Sequence, residues 1–167
     1  MTDRQFWLVH MGRPGGKLRE GSIDFTRQLL DRGYVAIGWP NMGDLAKLPD
    51  DREAFRERFQ ETHPGYHSER GMDEATGMLH RFAYGVRPGD LVVCPTPGGG
   101  NPVHIGEFEG DCLYEQGTYG DYHHLRKVRW LATVPRNELT SGAKDTLTVN
   151  RSLMRIHKHA SEFGKYL

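Results

Sequence analysis

GYVAIGWPNMGDL, residues 33–45, carries the change of rhythm on which the fold turns. Just before it, SIDFTRQLLDR places Ile23, Phe25 or Thr26, Leu29 and Leu30 on one face of a helix that Ser22 is suited to cap. Gly33 ends that helix as a C′ residue, and residues 34–38 follow at once as an apolar strand. The strand runs straight into Gly38-Trp39-Pro40-Asn41. A large aromatic there is either a plug for the core or one wall of a pocket that holds something flat.

Working outward, QFWLVH at 5–10 reads as a first strand, and the glycines and proline of 11–21 read as a loop. Downstream, Pro49-Asp50-Asp51 opens a charged helix to about residue 62, with Phe55 and Phe59 four apart. Residues 63–71 are polar, an exposed loop. Asp73 can cap a third helix to about 84, apolar at Ala75, Met78, Leu79 and Phe82. Residues 85–90 form a turn that delivers the strand LVVCP, and PGGGNP at 97–102 is a loop. VHIGEFE at 103–109 is a strand, continued past a turn at 112–115, and another strand covers about 124–134. Residues 135–139 make a short helical turn, and about 150–163 form a closing amphipathic helix. Strand, helix, strand, two helices and then a run of strands predict an α+β fold, a curved or barrel-like sheet with flanking helices, not a doubly wound one. Residues 1–167 form one domain.

A chain of 167 residues buries roughly two thirds of its unfolded surface and needs no covalent staples. Its 37% hydrophobic and 26% charged content is that of a soluble globular protein. Cys94 and Cys112 have no CxxC spacing and read as buried thiols in a reducing cytoplasm. No N-terminal apolar run resembles a signal peptide, and no window approaches the ~20 apolar residues of a membrane span. The expectation is therefore a cytoplasmic protein with no membrane partner. Zero net charge argues against a strongly basic nucleic-acid binder, but the distribution is uneven. Residues 123–167 hold nine Lys/Arg against three Asp/Glu, and residues 1–122 hold thirteen against nineteen. That asymmetry marks either a face that meets an anion or a basic segment packed on an acidic body.

Around Trp39, Pro40 stiffens the strand exit and Asn41 offers both donor and acceptor. Asp44 either accepts from an exocyclic amine or caps the turn at 43–45. Thr96, at the end of a central strand, can offer its hydroxyl to a ligand or leave it to the fold. Gly98-Gly99-Gly100 is no P-loop, because no GK[ST] and no helix follow. His123, His124, Arg126, Lys127 and Arg129 form the densest basic run, with His124, Arg126 and Val128 on one face. Such a face binds phosphates or protects a sheet edge with charge. Arg151, Arg155 and Lys158 fall on one stripe of the closing helix, either solvated or facing phosphate. His63 and His67 are separated by Pro64 and Gly65, and no zinc, nucleophile-elbow or deaminase motif is present. No metal, cofactor or catalytic residue is implied, and the expectation is a binding domain, not an enzyme.

FWLV at 6–9, GYVAIGWPNMGDL at 33–45, GVRPGDLVVCP at 85–95 and VHIGEFEG at 103–110 come in the order seen in PUA-like domains, and they most resemble the EVE and YTH-related branch. YHHLRKVRWLATVPRNEL at 122–139 resembles the N-terminal sensor of predicted Mrr-type restriction endonucleases. The nuclease half of such proteins has no counterpart here, so the expectation is a standalone sensor or a piece of a longer chain. The resemblance implies nucleic-acid binding, with a modified base flipped into an aromatic-lined pocket. It implies that His10, Met11 and Gly12, leaving the first strand, lie near Trp39. On that reading Trp39 stacks on the base, while His10, Asn41, Asp44 and Thr96 read its edges. His124, Arg126, Lys127, Arg129, Arg151 and Arg155 meet phosphates. The expected partner is DNA carrying modified bases, within a modification-dependent restriction or defence system and with a nuclease domain or subunit. The alternatives are an RNA-binding PUA-like domain, a small nucleotide or metabolite pocket, and an enzyme of the related ASCH type.

Overall fold

The turn Arg87-Pro88-Gly89-Asp90 is a structural lock. Asp90, 3% exposed, accepts hydrogen bonds from Trp7 Nε1 at 3.0 Å, the Gln5 amide at 3.2 Å and the Arg87 amide at 3.0 Å. One carboxylate thus fixes the start of one strand to the start of another. The computed structural model describes residues 3–11, 22–96, 100–149 and 151–167. Among these residues, β1 (Phe6–Val9), β2 (Tyr34–Ile37), β3 (Leu91–Thr96), β4 (Gly100–Tyr114), β5 (His124–Val134) and β6 (Leu153–Ile156) form one open sheet, in the order β2-β5-β4-β3-β1-β6. β1 runs parallel to β3, and every other pairing is antiparallel. The helices are α1 (Ser22–Arg32), α2 (Arg52–Thr62), α3 (Glu69–His80), α4 (Ser141–Leu147) and α5 (Ala160–Gly164). The protein is α+β, as the order of elements predicts.

β1 and β3 are covered on both faces, whereas one face of β5 stays exposed at Lys127, Arg129, Leu131 and Thr133. Trp7, Val9, Val92 and Cys94 point into a core shared with Leu29, Leu30, Phe55, Phe59, Met78 and Leu79 of α1 to α3. Leu8 and Val93 point the other way, into a smaller core with Ala143 and Leu147 of α4 and Phe163 of α5. This is why LVVC is a continuous apolar run: a strand covered on both sides has no polar face. Burial of this kind stabilises by roughly 25 cal/mol per Å² of apolar surface.

Local chemistry sets the helix ends. Asp51 caps α2 by accepting from the Glu53 amide at 3.0 Å, and Ser68 caps α3 by accepting from the Gly71 amide at 3.0 Å. The third helix therefore begins at Glu69, four residues before the expected cap Asp73, whose carboxylate is paired with Arg56 instead. It ends in a π-helical turn, Arg81–Gly85, closed by the Val86 amide on the Arg81 carbonyl at 2.8 Å.

The expected closing helix over 150–163 is corrected. Residues 153–156 are strand β6, paired antiparallel with β1, and only residues 160–164 are helical; Asn150 lies outside the described residues. Leu153 and Ile156, three apart, fit a helical repeat, but they enter the two cores on opposite sides of the sheet, as period-2 residues do. β1 gains its second hydrogen-bonded neighbour this way. α4 has no counterpart in the sequence reading. The segments at 103–109 and 112–115 are one strand, β4, bent where Gly110 takes φ +68° and the register with β5 shifts between Glu109 and Leu113. Among the described residues no helix is long and apolar enough to cross a membrane.

Candidate functional site

Trp39 leaves β2 in the left-handed region, φ 60° and ψ 59°. Pro40 disfavours a right-handed helical conformation for the residue before it, and the left-handed well costs a bulky residue about 1–2 kcal/mol. Two short 3-10 turns follow, Pro40–Met42 and Leu45–Lys47. They place Met42, Gly43, Asp44, Lys47 and Leu48 around an open depression of about 440 Å³, completed by Arg58 of α2 and Tyr114 at the end of β4. That volume lies within the range of small-molecule sites. Arg58 holds its rim by donating from Nε to the Met42 carbonyl at 3.1 Å.

Beneath the Trp39 backbone lies His124, fully buried, with Nε2 2.9 Å from the Trp39 carbonyl. Burial pushes its pKa down to about 4, aided by His123, although the Trp39 carbonyl and Asp44 pull the other way. The ring is neutral at physiological pH. A carbonyl only accepts, so the hydrogen sits on Nε2 and Nδ1 presents a bare lone pair. That Nδ1 is buried without a hydrogen-bond partner, and so is His123 Nδ1. Tyr114 faces both histidines, its ring centroid 6.0 Å from His124 and 5.9 Å from His123.

The expected site residues are only partly gathered here. Trp39 and Asp44 adjoin Tyr114 and His124. Asp44 also accepts from the Ala46 amide at 3.0 Å, the capping role that the sequence allows. Asn41 is exposed, and half-buried Pro40 opens the first turn. Trp39 does not line the depression; it is half-buried against the main core, to which fully buried Met11 also belongs. His10 is 8% exposed, and its amide donates to the Ser152 carbonyl at 3.0 Å. β1 and β2 are not hydrogen-bonded neighbours, because β5, β4 and β3 stand between them. Gly12 lies outside the described residues, as do Gly98 and Gly99 of the glycine loop. Thr96 pairs with Gly100 at the opposite end of β4 from Tyr114, and its hydroxyl donates to the Pro102 carbonyl and lies 3.1 Å from His104 Nε2.

The basic run at 123–129 needs correction. His124 and Arg126 are 0% and 1% exposed, so neither reaches a phosphate in solvent. Arg126 donates to the carbonyls of Phe82 at 3.1 Å and Gly110 at 2.8 Å, and its guanidinium stands 5.7 Å from the Phe108 ring centre. Burial lowers its pKa, while Cys112, Asp111 and Asp90 favour the charge. β5 is an interior strand, so edge protection does not apply either. Lys127 is exposed beside the Tyr34 ring, and Arg129 is paired with Glu107 at 2.7 Å. Arg151 and Arg155 share no helical stripe: Arg151 precedes β6 and Arg155 lies on it, lining a separate depression of about 710 Å³ with Arg4, Arg87 and Glu107. Cys94 and Cys112 are free thiols, each pushed up to about 12 by burial. Among the described residues no three His, Cys, Asp or Glu side chains are grouped to hold a metal.

Of the residues lining the depression the sequence pointed to Asp44 alone, and Met42, Gly43, Lys47, Leu48, Arg58 and Tyr114 were missed. Tyr114 had one signal, an aromatic ending the strand that faces the basic run.

Among solved structures, the chain is similar to the YTH domain of the Zygosaccharomyces rouxii MRB1 protein, crystallised in complex with N6-methyladenosine RNA. The TM-score is 0.46 at 12% identity, over 98% of this chain and 86% of that one, which says nothing of this chain's ligand. No curated protein matches the sequence. The model of one family, described as a domain of unknown function, DUF8426, matches residues 14–157, and the chain belongs to that family.

Proposed function

We propose that the protein binds nucleic acid and recognises a modified base at the depression beside Trp39. The observation that carries this reading is the depression itself, where the Tyr114 ring, the Asp44 carboxylate and the cations Lys47 and Arg58 converge, backed by Trp39 and the buried His124. Backbone strain held beside it is what binding sites retain. Tyr114 supplies a π-face for stacking, Asp44 an acceptor for an exocyclic amine, and Arg58 and Lys47 cations at the rim. The finer reading is that the base stands in DNA and that the protein is the sensor of a modification-dependent restriction or defence system. It rests on the resemblance of residues 122–139 to Mrr-type sensors.

The test is fluorescence anisotropy at fixed salt. Matched DNA duplexes, unmodified or carrying methyladenine, methylcytosine, hydroxymethylcytosine or its glucosylated form, are compared with the corresponding RNA. Wild type, Trp39→Ala and Tyr114→Ala are measured side by side. We expect preference for one modified DNA, reduced about tenfold or more by Tyr114→Ala, since stacking on an aromatic contributes about 1–3 kcal/mol per base, and weakened by Trp39→Ala through the turns that Trp39 anchors to the core. Preference for modified RNA would move the assignment to RNA. Equal, feeble binding to all would overturn the reading.

A further inference from the structure

α3 carries a glycine where a helix normally carries a side chain. Gly77 shares one face with Asp73, Glu74 and Arg81, three to four residues away. A Cβ at Gly77 would lie 3.1 Å from Arg52 Nη2, and 3.4 Å and 3.5 Å from Arg81 Nη2 and Nη1. Two guanidinium groups from different elements therefore converge on a single point above bare helix backbone. A third comes from the C-terminal segment: Arg151 reaches Glu74 on the same face at 4.0 Å.

Carboxylates do not account for this gathering. Glu74 is shared between Arg70 at 3.6 Å and Arg151, and Asp73 is taken by Arg56. Neither Arg52 nor Arg81 has a carboxylate within 4.0 Å among the described residues; Arg52 is tethered only by a 3.3 Å bond to the Asp73 carbonyl. Burial lowers the pKa of half-buried Arg81, and the charges of Arg52 and Arg151 lower it further. Like charges crowded without counterions destabilise a fold unless an anion joins them.

We propose that Arg52, Arg81 and Arg151 form, over the bare helix backbone at Gly77, a binding site for a phosphate group. On the nucleic-acid reading above, on which this part rests, the phosphate belongs to the backbone of the bound strand. Planar guanidinium forks suit phosphate oxygens in a way that a lysine patch does not.

The test uses the full chain with Arg52→Gln, Arg81→Gln and, as control, Lys165→Gln, an exposed cation just after α5 that belongs to neither proposed site. Oligonucleotide affinity is measured from 50 to 300 mM salt, and melting temperature with and without inorganic phosphate. Each phosphate contact contributes about 0.9 to the log–log salt slope on duplex DNA and about 0.7 on single strands. Arg81→Gln is expected to lower the slope by roughly one contact and to weaken binding at low salt about three- to tenfold. Without phosphate its melting temperature holds or rises, because a crowded charge is removed. Inorganic phosphate raises the melting temperature of wild type and the control more than that of Arg81→Gln. An unchanged slope beside intact binding overturns the proposal, as does a lower melting temperature without phosphate, which would make Arg81 structural. If no oligonucleotide binds, the base-recognition reading falls, and the phosphate effect decides this site alone: its loss in Arg81→Gln sustains the site, and its absence from wild type removes it.

Discussion

Acidification should act on this fold through His124. Its pKa is about 4 in the fold against an ordinary value of 6.5. Between those values the unfolded chain binds a proton that the folded chain does not, so stability falls as pH drops through that window. The full contribution is present above about pH 6.5, and the loss levels off below about pH 4. At about 1.4 kcal/mol per pKa unit the whole shift corresponds to about 3 kcal/mol, most of it lost by about pH 4.5. For a chain of this length that is roughly 5–10 °C of melting temperature. The comparison is His124→Gln, which keeps an N–H donor for the Trp39 carbonyl but does not titrate. Urea unfolding of both proteins at pH 7 and pH 4.5 should show the gap between them narrowing by about 2–3 kcal/mol. His104, whose pKa burial also lowers, is common to both and cancels. A gap that stays constant with pH would refute the neutral-imidazole argument, and with it the bare Nδ1 acceptor. An NMR titration placing His124 near 6.5 would do the same.

Arg126→Met strands the carbonyls of Phe82 and Gly110 and is expected to cost about 2–4 kcal/mol in urea unfolding. Gly106→Ala sets a Cβ 2.5 Å from Val128 Cγ1 and 2.8 Å from the Arg129 carbonyl; a lower melting temperature, equivalent to about 1–3 kcal/mol, is expected. Trp39→Gly should be more stable than Trp39→Ala by about 1 kcal/mol, because only alanine retains the left-handed strain. Cys94, fully buried, should resist alkylation in the native protein and react on unfolding, with half-buried Cys112 intermediate, as followed site by site by mass spectrometry.

The sheet was readable where burial and turn chemistry agree. LVVCP after a Pro-Gly turn admits little but a covered strand, and the observed β3 and β5 match the predicted segments to within a residue. Residues 153–156 were not readable, because Leu153 and Ile156 satisfy a helical spacing while separated by a sheet. Trp39 drew attention through its neighbours Gly38 and Pro40, which a left-handed exit explains. The sequence could not tell that His124 and Arg126 face inward. A basic run on a strand reads as surface until the partner carbonyls, supplied by the Phe82 π-turn and the Gly110 bend, are known. Those carbonyls lie 44 and 16 residues away, beyond any local pattern.

β1 and β3 are roofed on both sides, and the open face of β5 carries Lys127, Arg129 and Leu131 beside the acidic Glu107 and Glu109, with which Arg129 is already paired. On the proposed function, recognition falls to strand exits and helix ends: the 39–48 turns, Tyr114 and the Gly77 backbone. Mechanical support and ligand choice then reside in different parts of the chain. Relatives in the family could exchange one target for another by rewriting a few residues at these termini. The buried strands, with the Asp90 lock and the Arg126 brace, would remain as they are.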